Sequence, residues 1–245
     1  MTFETVFTMD TSSIKVGRGA TRELGHDMRA LGARRVLLLT DPNVARTPAA
    51  AVAMDSLRAA GIDTVLYDRV RVEPTDQSFK EASAVAADGN FDGFAAVGGG
   101  SVIDTAKAAN LYATYPADFL EYVNAPIGRG MPVPGKLKPL IAVPTTAGTG
   151  SETTGVAIFD LSALHVKTGI AHRALRPTMG IIDPDNTATM PPLVAACSGL
   201  DILCHAVESL TALPFHQRPA PESPALRPSY QGSNPISDIW AAKAI

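Results

Sequence analysis

Three consecutive glycines, Gly98, Gly99 and Gly100, interrupt the stretch FDGFAAVGGGSVIDTAKAAN at residues 91–110 and restrict the fold more than any other feature of the chain. Residues 94–97 before them form an apolar run suited to a strand buried on both faces of a sheet. After them Ser101 is placed to open a helix that continues through Ala106, Lys107 and Ala109. A glycine triplet between strand and helix removes every Cβ where the chain must turn and lets a ligand approach the backbone. Free N–H groups and the dipole at the helix start can hold a pyrophosphate without a lysine. The same triplet reads equally well as a tight turn with no ligand, since it matches neither GxGxxG nor a P-loop.

The flanking sequence repeats the alternation. Strand patterns at residues 14–19, 35–40 and 64–67 are separated by helical spacing at 20–31 and 48–60, and a further helix is expected at 76–87. This order predicts an α/β fold with parallel strands, right-handed crossovers and ligands at the carboxyl ends of the strands. Asp41 follows the second strand, where it serves either to hold a ribose hydroxyl or to cap the turn at Pro42, with the cap favoured. Beyond a proline-rich connection at 115–139, residues 140–143 make another strand. The hydroxyl-rich loop TTAGTGSETT follows, carrying Thr145, Thr146 and Thr149. Such a loop can hydrogen-bond a sugar or amide, or be an ordinary surface loop. Residues 156–159 and 168–171 read as a hairpin with Lys167 near its far side, and 179–182 as a last strand.

Past residue 190 strand signals vanish. PPLVAACSG and LDILCHAVESLTAL read as two helices parted at Gly199, and 214–235, with six prolines, reads as a linker or disordered loop. Residues 1–186 are therefore expected to form an α/β nucleotide-binding domain, and 187–245 the start of a helical one. With 46% hydrophobic and 18% charged residues the chain can bury one large core or two modest ones. A net charge of -3 gives no electrostatic reason to expect nucleic acid or an anionic membrane as partner. The start, MTFETVFTMD, has no signal-peptide or presequence character, so a cytoplasmic location is expected. Cys197 and Cys204 are expected as free, buried thiols.

Asp201 and His205 stand at i and i+4, on one helix face, and can share a divalent ion; an intrahelical Asp–His hydrogen bond explains the spacing as well. A catalytic metal needs at least a third protein ligand, and His26, His165, His172 and His216 recur at no metal-like spacing.

Taken in order, GGGSVIDTAKAAN, PTTAGTGSETT, IIDP and GLDILCHAVES resemble the iron-containing alcohol dehydrogenases. RVEPTD, FLEYVNAPIG, VKTGIAHRALRPT and YQGSNPISDIWA are similar to its hydroxyacid-oxoacid transhydrogenase branch. The resemblance implies a dehydroquinate-synthase-like fold with NAD and a divalent metal, iron or zinc. It implies hydride transfer from 4-hydroxybutyrate to 2-oxoglutarate on NAD that stays bound; free NAD turnover as in a plain alcohol dehydrogenase, or an inactive nucleotide-binding fragment, are the alternatives. By the same resemblance Asp41 meets the ribose, and Gly98, Gly99, Gly100 and Ser101 cradle the pyrophosphate. Asp104 orients that loop, Thr145, Thr146, Thr149 and Lys167 line the cofactor, and Asp201 and His205 are the first two metal ligands. The family's further histidines, including the one near the nicotinamide, fall beyond Ile245, so the chain reads as truncated and its catalytic residue is unassigned. The implied partners are small hydroxyacids and oxoacids, and self-association into a homo-oligomer is left open. In the proline-rich loop, Arg218 and Arg227 are candidates for a substrate carboxylate.

Overall fold

A computed structural model of the chain describes residues 2–9, 11–228 and 230–245. The chain divides into two compact units, one of Ser12–Thr146 with Gly150–Met190, the other of Met1–Thr11, Ala147–Thr149 and Pro191–Ile245.

The first unit opens with β1 (Ser13–Val16), α1 (Leu24–Ala30), β2 (Arg35–Leu39), α2 (Pro48–Ala59), β3 (Asp63–Tyr67) and α3 (Asp76–Asp88). It continues with β4 (Gly93–Gly98), α4 (Gly100–Thr114), β5 (Leu140–Pro144), β6 (Val156–Leu161), β7 (Val166–Ala171) and β8 (Met179–Ile182). Six strands make a parallel sheet in the order β1-β8-β5-β4-β2-β3, while β6 and β7 form the expected antiparallel hairpin.

Strand alternation assigns the two faces of the sheet. Val36, Leu38, Ala95, Val97 and Ile141 join Leu24 and Met28 of α1 and Ala53 and Leu57 of α2 in one core. Leu37, Leu39, Phe94, Ala96 and Leu140 join Ala82 and Ala86 of α3 and Ile103 and Ala106 of α4 in the other. A slip of one residue in a strand would exchange these sets, so burial of both faces holds the register. Helix α4 has a further neighbour: Phe159, Leu161 and Ile170 of the hairpin cluster with its Ala108, Leu111 and Tyr112. Sheet on one side and hairpin on the other leave every residue from Val102 to Tyr112 buried.

Chain order then locates a switch point. From β2 the chain steps outward to β3, returns past β2 to β4, and moves on to β5. The reversal lies between β2 and β4, the kind of position at which parallel α/β sheets take their ligands.

The second unit holds α5 (Pro192–Thr211) and α6 (Pro235–Ala244). Instead of two helices parted at Gly199, α5 runs through it unbroken. A lone glycine costs a helix only about 1 kcal/mol relative to alanine, and the alanines and leucines around it favour helix enough to absorb that. Among described residues Ala206 is the one buried position of α5. Leu193 and Leu200 are 75% and 64% exposed, and by length and composition alone α5 is apolar enough to cross a membrane. Cys197 and Cys204 are free but exposed, not buried as expected, because among the described residues only Ala206 of this helix is covered.

Residues 214–235 are not a loose linker. The N-terminal segment fastens them: Arg227 Nε donates to Glu4 Oε2 at 2.9 Å, Gln231 Nε2 to Thr8 Oγ1 at 2.7 Å, and the Phe7 and Phe215 rings lie 4.9 Å apart. Asn234 ends the segment as the cap of α6, in a capping box with Ser237. The composition hid this because the partners lie more than two hundred residues away in sequence. Arg227 is thus committed to Glu4, and Arg218 lies over the Tyr230 ring with Nε 3.4 Å from the Leu213 carbonyl.

Candidate nucleotide and metal sites

The glycine loop and the hydroxyl-rich loop meet at the carboxyl edge of the sheet. Gly98 closes β4 opposite Pro144 of β5, and the Thr145 N–H donates to the Gly98 carbonyl at 3.0 Å. A Cβ on Gly98 would stand 2.4 Å from Val102 Cγ2, so only glycine lets α4 start this close to the strand. On Gly99 it would stand 3.3 Å from Thr146 Oγ1. Gly99 is the N-cap of α4, with no side-chain cap and no acid in the first turn. Ser101, expected to cap, is instead the second helical residue, and its Oγ accepts the Glu73 N–H at 3.2 Å. No side chain therefore competes for the donors at this helix start, the arrangement that suits an anion.

Asp41 lies on the same edge. Leu39 of β2 pairs with Ala96 of β4, and two residues beyond each stand Asp41 and Gly98. Asp41 is buried, and its Oδ1 accepts the N–H groups of Asn43 and Val44 at 2.8 and 3.1 Å. The favoured cap reading is thus present. A carboxylate has a second oxygen, so capping leaves acceptor capacity for a ribose.

Lys167, on β7, places Nζ 2.5 Å from Glu73 Oε2 and 3.8 Å from Asp160 Oδ1. The hydrogen bond to Glu73 holds the Lys167 ammonium above the usual lysine range against the opposing effect of burial. Glu73 has a left-handed backbone, φ 56°. It links Ser101 to Lys167, a role that nothing in its sequence position signalled beyond its place just before the capped start of α3.

Beneath the loop lies a pair that sequence reasoning missed. Lys107 is fully buried, and its ammonium donates to Val156 O at 2.6 Å, Asp104 Oδ1 at 3.1 Å and Thr154 Oγ1 at 3.3 Å. Asp104 Oδ2 accepts the Ile158 N–H at 3.0 Å. Burial pushes the Lys107 pKa down, and the neighbouring Asp104 carboxylate opposes that. Asp104 reaches the hairpin, not the glycine loop. A lone lysine amid apolar positions of a helix was the available signal.

In the other unit, Asp201 Oδ1 and His205 Nε2 are 3.8 Å apart on one face of α5, both partly exposed. His205 Nδ1 lies 3.2 Å from the Gly148 carbonyl. With the proton on Nδ1 donated there, Nε2 keeps its lone pair on the Asp201 side, the tautomer a metal-binding histidine needs. Gly148 has φ 150°, and a Cβ on it would stand 2.6 Å from the Ser198 carbonyl, so the loop approaches α5 this closely only through glycine. Thr149 follows, exposed. The pair fits a divalent ion in donor type and tautomer. Among the described residues no cluster of three or more His, Cys, Asp or Glu exists, so these two supply part of a coordination sphere.

Comparison with known proteins bears on both sites. Residues 11–184 match the family of iron-containing alcohol dehydrogenases. The whole chain is 61% identical to the mitochondrial hydroxyacid-oxoacid transhydrogenase of Bos taurus, of which it covers 53%. The chain thus spans about half the length of the curated relatives it matches. Among solved structures, a 1,3-propanediol oxidoreductase superposes with a TM-score of 0.83 at 28% identity, over 97% of this chain and 56% of the other. A sulfoacetaldehyde reductase from Bifidobacterium kashiwanohense in complex with NAD+ superposes with a TM-score of 0.76 at 26% identity, over 88% and 56%. The expected cytoplasmic location is overturned, since the transhydrogenase relatives are mitochondrial. That expectation rested on the first ten residues, and the start of this sequence is no guide to what precedes it in a longer protein.

Proposed function

The chain belongs to the iron-containing alcohol dehydrogenase family, and we propose that the protein carrying it is a mitochondrial hydroxyacid-oxoacid transhydrogenase. The net reaction is 4-hydroxybutyrate plus 2-oxoglutarate to succinate semialdehyde plus 2-hydroxyglutarate, an exchange of two electrons and two protons. The observation that carries the reading is the bare helix start at Gly99, set beside Thr146 at the switch point of the sheet.

Gly98, Gly99, Gly100 and Ser101 hold the pyrophosphate of NAD through backbone donors, and the Asp41 carboxylate orients the adenosine ribose. Thr145, Thr146 and Lys167 offer further polar contacts from this unit. In the helical unit, which also carries Thr149, Asp201 and His205 would hold a divalent metal, iron or zinc, together with ligands from elsewhere. When bound, the metal supplies polarisation of the substrate oxygen and NAD supplies a hydride carrier. Asp104, tied to the hairpin, does not touch phosphate, which its negative charge would repel.

The test is turnover of 4-hydroxybutyrate with 2-oxoglutarate by the metal-loaded full-length protein, with and without added NAD. Exchange independent of added NAD is expected. Alcohol oxidation strictly proportional to added NAD, without exchange, would replace the proposal with an ordinary dehydrogenase.

A further inference from the structure

We infer that the buried Asp104–Lys107 pair is a positioning element that fixes the start of α4 to the β6–β7 hairpin, and so sets the glycine loop relative to Lys167. The inference rests on the cofactor reading above.

The pair is not explained by stability. Taking two opposite charges out of water costs more than packing apolar side chains of similar volume, and exchanging such a pair for apolar residues is often neutral or stabilising. Its neighbours on α4, Ala106, Ala108 and Ala109, show what the surroundings otherwise accept. What the pair adds is direction. An ammonium has three donors, and Lys107 spends them on acceptors from α4, from Thr154 and from the first residue of β6. The second oxygen of Asp104 takes the Ile158 N–H, two residues further along β6. Sliding or turning α4 against the hairpin breaks the bonds to Thr154, Val156 and Ile158 together, whereas an apolar contact would tolerate the shift.

The hairpin is also tied on its outer side. Asp160 donates its N–H to the Pro74 carbonyl at 2.8 Å, and Glu73 joins Ser101 to Lys167. Since Asp160 pairs with Lys167 across the hairpin, the buried and the outer ties fix the same two things: the first turns of α4 and the lysine of β7. A displacement of about 1 Å in such a constellation can cost about a hundredfold in rate.

The test compares the full-length protein with Asp104→Asn/Lys107→Met, which removes both charges and leaves neither one buried alone. Bound NAD is first stripped from each protein, and its affinity is then measured by titration calorimetry, with thermal unfolding and amide exchange of residues 156–161 alongside. The inference predicts a double variant that folds, binds NAD at least tenfold more weakly, and exchanges those amides faster. A folded double variant that binds NAD within twofold of the parent overturns it. Should that variant not fold, Thr154→Val removes one acceptor without stranding a charge; a severalfold loss of NAD affinity supports the inference and an unchanged affinity overturns it. A parent protein that does not bind NAD overturns the cofactor reading, and this inference with it, and so is distinguishable from failure of the pair alone.

Discussion

Thr146 sits so close to Gly99 that a Cβ on the glycine would lie 3.3 Å from the threonine Oγ1 and 3.4 Å from its Cγ2. The backbone of Gly99 is ordinary, with φ -79°, so alanine there meets crowding without conformational strain. Gly99→Ala is expected to leave stability within about 1 kcal/mol while weakening NAD binding about tenfold or more, because in the proposed site the phosphates approach the bare backbone. Calorimetric titration with NAD alongside thermal unfolding checks both halves. Undiminished affinity would remove the cradle from this loop.

Gly148 presents the opposite case. Its φ of 150° and the Ser198 carbonyl 2.6 Å from the position of a Cβ both exclude a side chain. Gly148→Ala is expected to destabilise the helical unit by about 1–3 kcal/mol and to displace the carbonyl beside His205. Denaturant unfolding followed by a probe in that unit measures the first effect.

Asp201 and His205 are exposed enough to be replaced without damage to packing. Asp201→Ala and His205→Ala should each lower divalent-metal affinity on the order of a hundredfold, with the unfolding midpoint in metal-free buffer unchanged. Equilibrium dialysis with zinc or iron provides the measurement, and full retention of metal in both variants would place the site elsewhere.

Asp183 gives a pH dependence. Burial raises its pKa, but the Thr21 N–H and hydroxyl and the N–H groups of Gly19 and Asp185 outweigh this and hold the carboxyl below the usual range. A depressed carboxylate contributes stability that is present above the unfolded value, about pH 4, and is lost as pH falls through the folded one. Asp183→Asn should cost about 2 kcal/mol at neutral pH and flatten the loss of stability below about pH 4. Unfolding curves from pH 2 to 7 test this, and parallel curves for the two proteins would contradict it.

The parallel sheet, the glycine turn and the hairpin were legible because each is written locally, as apolar runs, glycines and alternation. Asp41 as a cap was legible for the same reason. Four features were not. The helix start at Gly99 displaced Ser101 from its expected role because Glu73, from a distant loop, takes the serine hydroxyl. Helix α5 continues through Gly199 because glycine is a weak breaker beside strong helix formers. Residues 214–235 are ordered by Glu4, Phe7 and Thr8, partners that no local pattern names. Lys107 carried no local sign of its partners at Thr154 and Val156, which the hairpin packed over α4 supplies.

The most direct test of the transhydrogenase account follows an isotope. The metal-loaded full-length protein is given 4-hydroxybutyrate carrying deuterium at C4, unlabelled 2-oxoglutarate and a pool of unlabelled NADH. The account predicts deuterium at C2 of 2-hydroxyglutarate and none in the free NADH. Label that spreads into the NADH pool, or fails to reach 2-hydroxyglutarate, would contradict it.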